Sequence, residues 1–204
     1  MNTVLVFLKA PMPGAVKTRL AAALGAEQAA ALYAQWASRI LKSLQPVRSM
    51  CRLIGYYAGD ESAVRSRWGS LIDEWMRQPE GDLGRRLQFG FDVSLRSGPS
   101  LAVGTDCLDV DAEVVRCAFV TLEQSDAVIG PADDGGYYLL GLTRTADGLF
   151  DGIEWSSPRT GEQQRENLKR AGMTIAELPT LQDIDTLEDW EAYQKRKDQR
   201  ADMQ

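Results

Sequence analysis

Lys9, Lys17 and Arg19 gather around the turn-forming pair Pro13-Gly14, in a chain whose formal net charge is −6. Cations brought together on one turn can cradle an anion, and phosphate is the natural candidate. Directly before them runs Val4-Leu5-Val6-Phe7-Leu8, with the length and β-branched content of a buried parallel strand, and the alanine-rich segment after Leu20 reads as a helix. The loop therefore lies where a strand hands over to a helix, at the carboxyl edge where open α/β sheets bind their ligands. It is not a Walker A loop, because Pro11 and Val16 stand where that motif needs glycines ahead of Lys17-Thr18. Taken alone, the same cations fit a solvated loop equally well.

Acids supply the complementary chemistry. Leu101-Ala-Val-Gly-Thr-Asp-Cys107 is an apolar strand running out into Thr105 and Asp106, which places a carboxylate at the same sheet edge. Such a group can hold Mg²⁺, usually bound through one or two carboxylates plus substrate phosphates. The competing reading is a turn at Asp106, or capping of the next helix by Asp109 or Asp111. In Gly130-Pro-Ala-Asp-Asp-Gly-Gly-Tyr-Tyr-Leu-Leu-Gly141, a hairpin turn needs only Asp-Gly. The second acid and second glycine point to a ligand approaching bare backbone at Gly135 and Gly136, with Asp133 or Asp134 free to contact sugar hydroxyls, metal or an acceptor. A plain turn is the alternative. In Asp183-Ile-Asp-Thr-Leu-Glu-Asp189, Thr186 and Asp189 fit an acidic capping box, which leaves Asp183 and Asp185 unexplained. If the strand from Thr174 to Leu178 joins the sheet, this loop reaches the same edge and Asp185 is a candidate second metal contact.

Composition narrows the chemistry further. The chain has no histidine, which removes Ser-His-Asp and Cys-His catalysis and every His-ligated metal. A metal, if used, is oxygen-ligated, favouring Mg²⁺ or Mn²⁺. Cys51, Cys107 and Cys117 show no CxxC spacing and read as reduced, with Cys51 and Cys117 in the core. Net negative charge argues against a nucleic-acid or anionic-membrane partner. No apolar run approaches the roughly 18 residues that span a bilayer, and no cationic leader precedes the first strand, so the chain reads as cytoplasmic.

The elements that position these residues alternate. Strands are expected at Val4 to Leu8, Cys51 to Tyr57, Glu74 to Gln78, Leu101 to Gly104, Ala127 to Gly130, Tyr137 to Leu142 and Thr174 to Leu178, with helices between most of them. That order predicts an α/β fold with a mostly parallel sheet and right-handed crossovers. With 204 residues and 44% hydrophobic content, one domain over 1–194 is expected, followed by a charged, flexible tail over 195–204.

The segments from Lys9 to Leu20, Gly104 to Cys107, Gly130 to Leu142 and Asp183 to Thr186 together resemble the bacterial glycosyltransferase-like family assigned to the nucleotide-diphospho-sugar transferases. Some of its members are named for arsenosugar biosynthesis. More distantly, the chain is similar to molybdenum-cofactor nucleotidyltransferases and phospholactate guanylyltransferases. The resemblance implies a GT-A type, Rossmann-like three-layer sandwich. By it, Lys9, Gly14, Lys17 and Arg19 meet nucleotide phosphates, while Gln78, Asp82, Leu83 and Gly84 lie near base and ribose. Asp106 holds the metal, and Asp133, Asp134, Gly135 and Gly136 face sugar or acceptor. Leu108 and Leu187 stand where the family often has proline.

The expected activity is metal-dependent transfer from a nucleotide-diphospho-sugar to a small-molecule acceptor, with Asp134 as general base and Asp133 raising its pKa by like-charge repulsion. Nucleotidyl transfer from an NTP with release of pyrophosphate is the alternative, and a catalytically silent nucleotide-binding protein the third.

Overall fold

The computed structural model describes residues 1–201. In chain order the elements are β1 (Asn2–Lys9), α1 (Thr18–Leu24), α2 (Ala26–Ser43), β2 (Cys51–Ala58), α3 (Glu61–Trp68), β3 (Glu74–Arg77), α4 (Leu83–Ser94), β4 (Ser100–Val103), α5 (Ala112–Thr121), β5 (Ala127–Pro131), β6 (Tyr137–Leu142), α6 (Thr160–Arg170), β7 (Ile175–Glu177) and α7 (Leu187–Ala201). The strands make one sheet in the order β3-β2-β1-β4-β6-β5-β7. All run parallel except β6, which is antiparallel to both β4 and β5. The exception has a simple cause: the turn over residues 132–136 is too short for the crossover that a parallel partner requires.

Side chains alternate across the pleat, so each strand feeds two cores. Val4, Val6 and Leu8 of β1 join Leu53, Leu101, Val103 and Val128 beneath α2 and α5. On the opposite face Ala102, Ala127, Ile129, Leu140 and Leu142 meet Leu87 and Phe91 of α4 and Leu168 of α6. Leu5 and Tyr56 belong to this second face, where a Cβ on Gly90 of α4 would stand 3.0 Å from Leu5 and 3.2 Å from Tyr56. Each fully buried aliphatic or aromatic side chain contributes roughly 1.5–3 kcal/mol. The result is the expected three-layer α/β sandwich.

Two details differ from the sequence reading. Cys117 is exposed, and Cys107 is buried instead. The reason is helical phase: α5 turns Val115, Ala118 and Phe119 inward, leaving position 117 on its outer side. At the carboxyl end, α7 continues through Ala201, so residues 195–201 of the expected tail are helical, while 202–204 lie outside the described residues. Among the described residues no helix is long and apolar enough to cross a membrane.

From β1 the chain steps outward through β2 to β3, then returns to place β4 on the other side of β1. The carboxyl ends of β1 and β4 therefore flank the switch point of the sheet, where doubly wound folds open a ligand crevice.

Candidate functional site

A cleft of about 740 Å³ opens at this switch point. The β1 loop contributes Lys9, Lys17 and Arg19, and the segment after β3 contributes Gln78, Asp82 and Leu83. Asp106 follows β4, Asp134 and Gly136 come from the β5–β6 turn, and Asp185 precedes α7. Segments far apart in sequence thus meet along one sheet edge.

Hydrogen bonds lock the two central strand ends together. The Thr105 hydroxyl donates to the Phe7 carbonyl at 3.3 Å and lies 3.4 Å from the Tyr33 hydroxyl. Tyr33 in turn accepts the Lys9 backbone N–H at 2.8 Å. Burial pushes the Tyr33 phenol up to about 12, so it stays a neutral hydroxyl at this junction.

Lys17 begins α1 with left-handed backbone, φ 46° and ψ 51°. Its side chain is only 4% exposed. The ammonium donates to Ile184 O at 2.5 Å and Asp185 Oδ1 at 2.8 Å, and it pairs with Asp106 Oδ1 at 2.5 Å. It also lies 5.9 Å from the centre of the Trp36 ring. Burial alone disfavours the charge, but the carboxylates of Asp106, Asp185 and Asp183 outweigh it and hold the ammonium above the ordinary lysine range.

The acids around Lys17 differ in setting. Asp106 and Asp185 keep 47% and 38% of their side chains exposed to the cleft, and Arg19 approaches Asp185 Oδ2 at 3.5 Å. Asp183 is more enclosed: burial, followed by the negative charge of Asp106, pushes its carboxyl up to about 7. The Cys107 thiol lies 3.6 Å from Asp183 Oδ1, and burial and that carboxylate together push the thiol above its usual range. The capping box forms as expected, since Asp189 accepts the N–H of Thr186 at 2.8 Å while the Thr186 hydroxyl accepts that of Asp189 at 3.2 Å.

Among the described residues no group of three or more His, Cys, Asp or Glu side chains is placed to hold a metal ion. Two carboxylate oxygens do converge, Asp106 Oδ1 and Asp185 Oδ1, both on the Lys17 ammonium. Carboxylate oxygens are the hard donors that Mg²⁺ or Mn²⁺ takes, so these two are the residues that could hold such an ion if the ammonium between them moved.

Residues 40–157 match the family described as "Uncharacterized protein conserved in bacteria (DUF2064)". The chain belongs to this family. It is 32% identical to a Desulfovibrio desulfuricans G20 protein assigned to the nucleotide-diphospho-sugar transferases, covering 93% of this chain and 84% of that one at a TM-score of 0.84. The fold is shared at lower identity with CMP:2-keto-3-deoxy-manno-octonic acid synthetase in complex with CTP, at 9% identity, 97% and 99% coverage and a TM-score of 0.58. It is shared too with Rv0371c of Mycobacterium tuberculosis H37Rv in complex with manganese, at 17% identity, 94% and 97% coverage and a TM-score of 0.53. These last two likenesses concern the fold alone. No curated protein matches the sequence.

In this DUF2064 chain the remaining sequence-read residues have visible structural work. Asp133 is exposed and accepts the backbone N–H of Asp183 at 3.0 Å. Asp134 lines the cleft and accepts the Gly136 N–H at 2.8 Å, an Asx-type turn. Gly135, at φ 89°, has no room for a side chain, because a Cβ there would collide with the Pro158 carbonyl. Its own carbonyl accepts the Gly161 N–H at 2.9 Å, docking the start of α6 on the turn. Asp82 caps α4 by accepting the Arg85 N–H at 2.9 Å. Gln78 donates to the Tyr56 carbonyl at 2.7 Å. Leu83 is exposed at the cleft, whereas Gly84 is buried with its missing Cβ only 2.9 Å from Trp155. Gly14, at φ 80°, sits in an exposed turn and is not among the lining residues.

The structure adds Arg86, Tyr137, Ser156, Ser157 and Thr160 to the cleft wall, which Trp155 and Asp183 also line. Arg86 was within reach of sequence reasoning, since it follows the cap Asp82 by four and falls on the same helix face. Its Nε is buried without a hydrogen-bond partner. Ser156 carries no such signal: a serine at φ 60° is a tertiary outcome, imposed by the loop that packs Trp155 over Gly84.

Proposed function

We propose that this chain is a metal-dependent glycosyltransferase using a nucleotide-diphospho-sugar donor and a small-molecule acceptor. The observation that supports this reading best is the convergence of Asp106 and Asp185 on one cation position, at the switch point and beside Lys9 and Arg19. Asp106 and Asp185 would hold Mg²⁺ or Mn²⁺, which supplies neutralisation of the charge that develops on the departing diphosphate.

The residues then divide the work. Lys9 and Arg19 meet the phosphates from the β1 loop, and Gln78, Asp82 and Leu83 lie along the base and ribose. Asp134 takes the proton of the acceptor hydroxyl as its oxygen bonds to the anomeric carbon. The bond from that carbon to the diphosphate oxygen breaks, and the nucleoside diphosphate leaves. Asp133, Gly135 and Gly84 act by shaping the loops around the reaction.

A panel of nucleotide-sugars with Mn²⁺, followed by ³¹P NMR, tests this reading. Release of a nucleoside diphosphate by the wild type and none by Asp106→Ala is expected. Release of pyrophosphate from an NTP would instead assign the nucleotidyl reaction.

A further inference from the structure

Lys17 is expected to meet phosphate, yet its ammonium is fully engaged within the protein. Its partners are Ile184 O, Asp185 Oδ1 and Asp106 Oδ1, at 2.5, 2.8 and 2.5 Å. An ammonium has three donors. None is left for a phosphate unless one of these bonds opens. The same two carboxylate oxygens are those that a divalent cation would take, and a second cation beside a buried ammonium is repelled. Lys17 stands at the N-cap of α1, so its side chain can turn without the helix moving.

Resting on the nucleotide reading above, we infer that Lys17 is the resident counter-ion of the Asp106–Asp185 pair, a positioning residue that withholds the pair from a bare divalent cation. A nucleotide's phosphates take over the ammonium and thereby release the pair. The site thus selects a cation carried in with a nucleoside diphosphate over the free ion. Charge balance gives the reason: Asp106 and Asp185 are already matched by Lys17 and Arg19, so a bare dication adds two uncompensated positive charges, whereas a dication that arrives with the diphosphate of a nucleotide-sugar brings its own counter-charge.

Mn²⁺ binding to metal-free protein, followed by electron paramagnetic resonance, tests the first half. Lys17→Met and Lys17→Gln, each checked for native circular dichroism, should bind Mn²⁺ at least tenfold more tightly than wild type. A merely structural lysine would not give a gain of affinity when removed, so equal affinity in all three proteins overturns the inference. The wild type offers a test independent of the variants: saturating Mn²⁺ without nucleotide should raise acetylation of Lys17 several-fold in pulse labelling read by mass spectrometry, and unchanged labelling also overturns it. For the second half, UDP, GDP and CDP are titrated without metal. Binding to wild type that weakens at least tenfold in Lys17→Met supports the transfer of the ammonium to phosphate. Binding of none of them to either protein overturns that half and the nucleotide reading together, while the Mn²⁺ comparison still decides the first.

Discussion

The Asp133 carboxylate accepts the backbone N–H of Asp183 at 3.0 Å, across fifty positions of sequence. This bond ties the β5–β6 turn to the loop that carries Asp185, with Asp133 N–H donating to Leu181 O at 3.1 Å in support. Asp133→Ala should therefore lower stability by about 1 kcal/mol, the usual worth of one hydrogen bond. Asp133→Asn, which keeps an acceptor, should recover most of it. Thermal unfolding of the pair is the check, and an alanine variant as stable as wild type would refute the tie.

Removing opposite sides of the Lys17 cluster should not cost the same. Lys17→Met leaves two carboxylates that are partly exposed, whereas Asp106→Asn with Asp185→Asn leaves a buried ammonium stripped of both its ion-pair partners, with only the more distant charge of Asp183 to offset it. An uncompensated buried charge costs about 3–5 kcal/mol. In urea unfolding the double asparagine variant should be the less stable by a clear margin. The reverse order would show that the carboxylates, and not the ammonium, are the strained partners.

Gly135→Ala should destabilise by about 3 kcal/mol or more, because left-handed backbone disfavours a side chain and its Cβ meets the Pro158 carbonyl. Urea midpoints measure it. A loss below half that size would mean that the 155–158 loop yields easily.

Gly84 and Trp155 should be coupled. A Cβ at Gly84 stands 2.9 Å from the Trp155 ring and 3.1 Å from Phe150 O. Gly84→Ala should cost about 1–3 kcal/mol as overpacking, and much less in a Trp155→Ala background where the ring is gone. Additive costs in the double-mutant cycle would falsify the contact.

Acid should weaken the end of the sheet remote from the cleft through Asp126. Its carboxylate accepts the backbone N–H and the hydroxyl of Thr174 at 2.9 and 3.0 Å and the Arg144 Nε at 3.2 Å. These bonds, the Thr174 backbone foremost, hold it below the usual aspartate range. The stabilisation is fully present above the unfolded value near 3.9 and is lost as pH falls through the lowered folded value. The stability gap between wild type and Asp126→Asn should therefore narrow between pH 6 and pH 2. A gap of constant size would assign it to something other than ionisation.

Local pattern was enough for the elements and for most of the cleft. Val4 to Leu8, Leu101 to Val103 and Ala127 to Ile129 are apolar runs bounded by turn residues; the first two hand over to a helix and the third to a glycine turn, and the shared direction of the three strands puts the segment after each at one edge. That is why Lys9, Lys17, Arg19, Asp106 and Asp134 could be assigned to one edge without coordinates. Asp111 and Thr186-Asp189 were equally legible as caps, since a cap is a contact over two or three residues, while the capping of α4 by Asp82 emerged only with the structure.

Pairing across long stretches was not legible. Sequence marks Lys17 as a cation and Asp185 as an acid, but charge type does not say whether a lysine faces a ligand or its own protein. That depends on burial, and burial of Lys17 arises only when the loop before α7 folds back over the start of α1. Gly135 and Gly84 show the same limit: residue type reveals that a side chain is missing, and only packing reveals whether a ligand, Pro158 or Trp155 uses the space. Fold class and the location of the cleft follow from local preferences summed along the chain, while the partners of each charge inside it follow from which distant loops the closed sheet brings together.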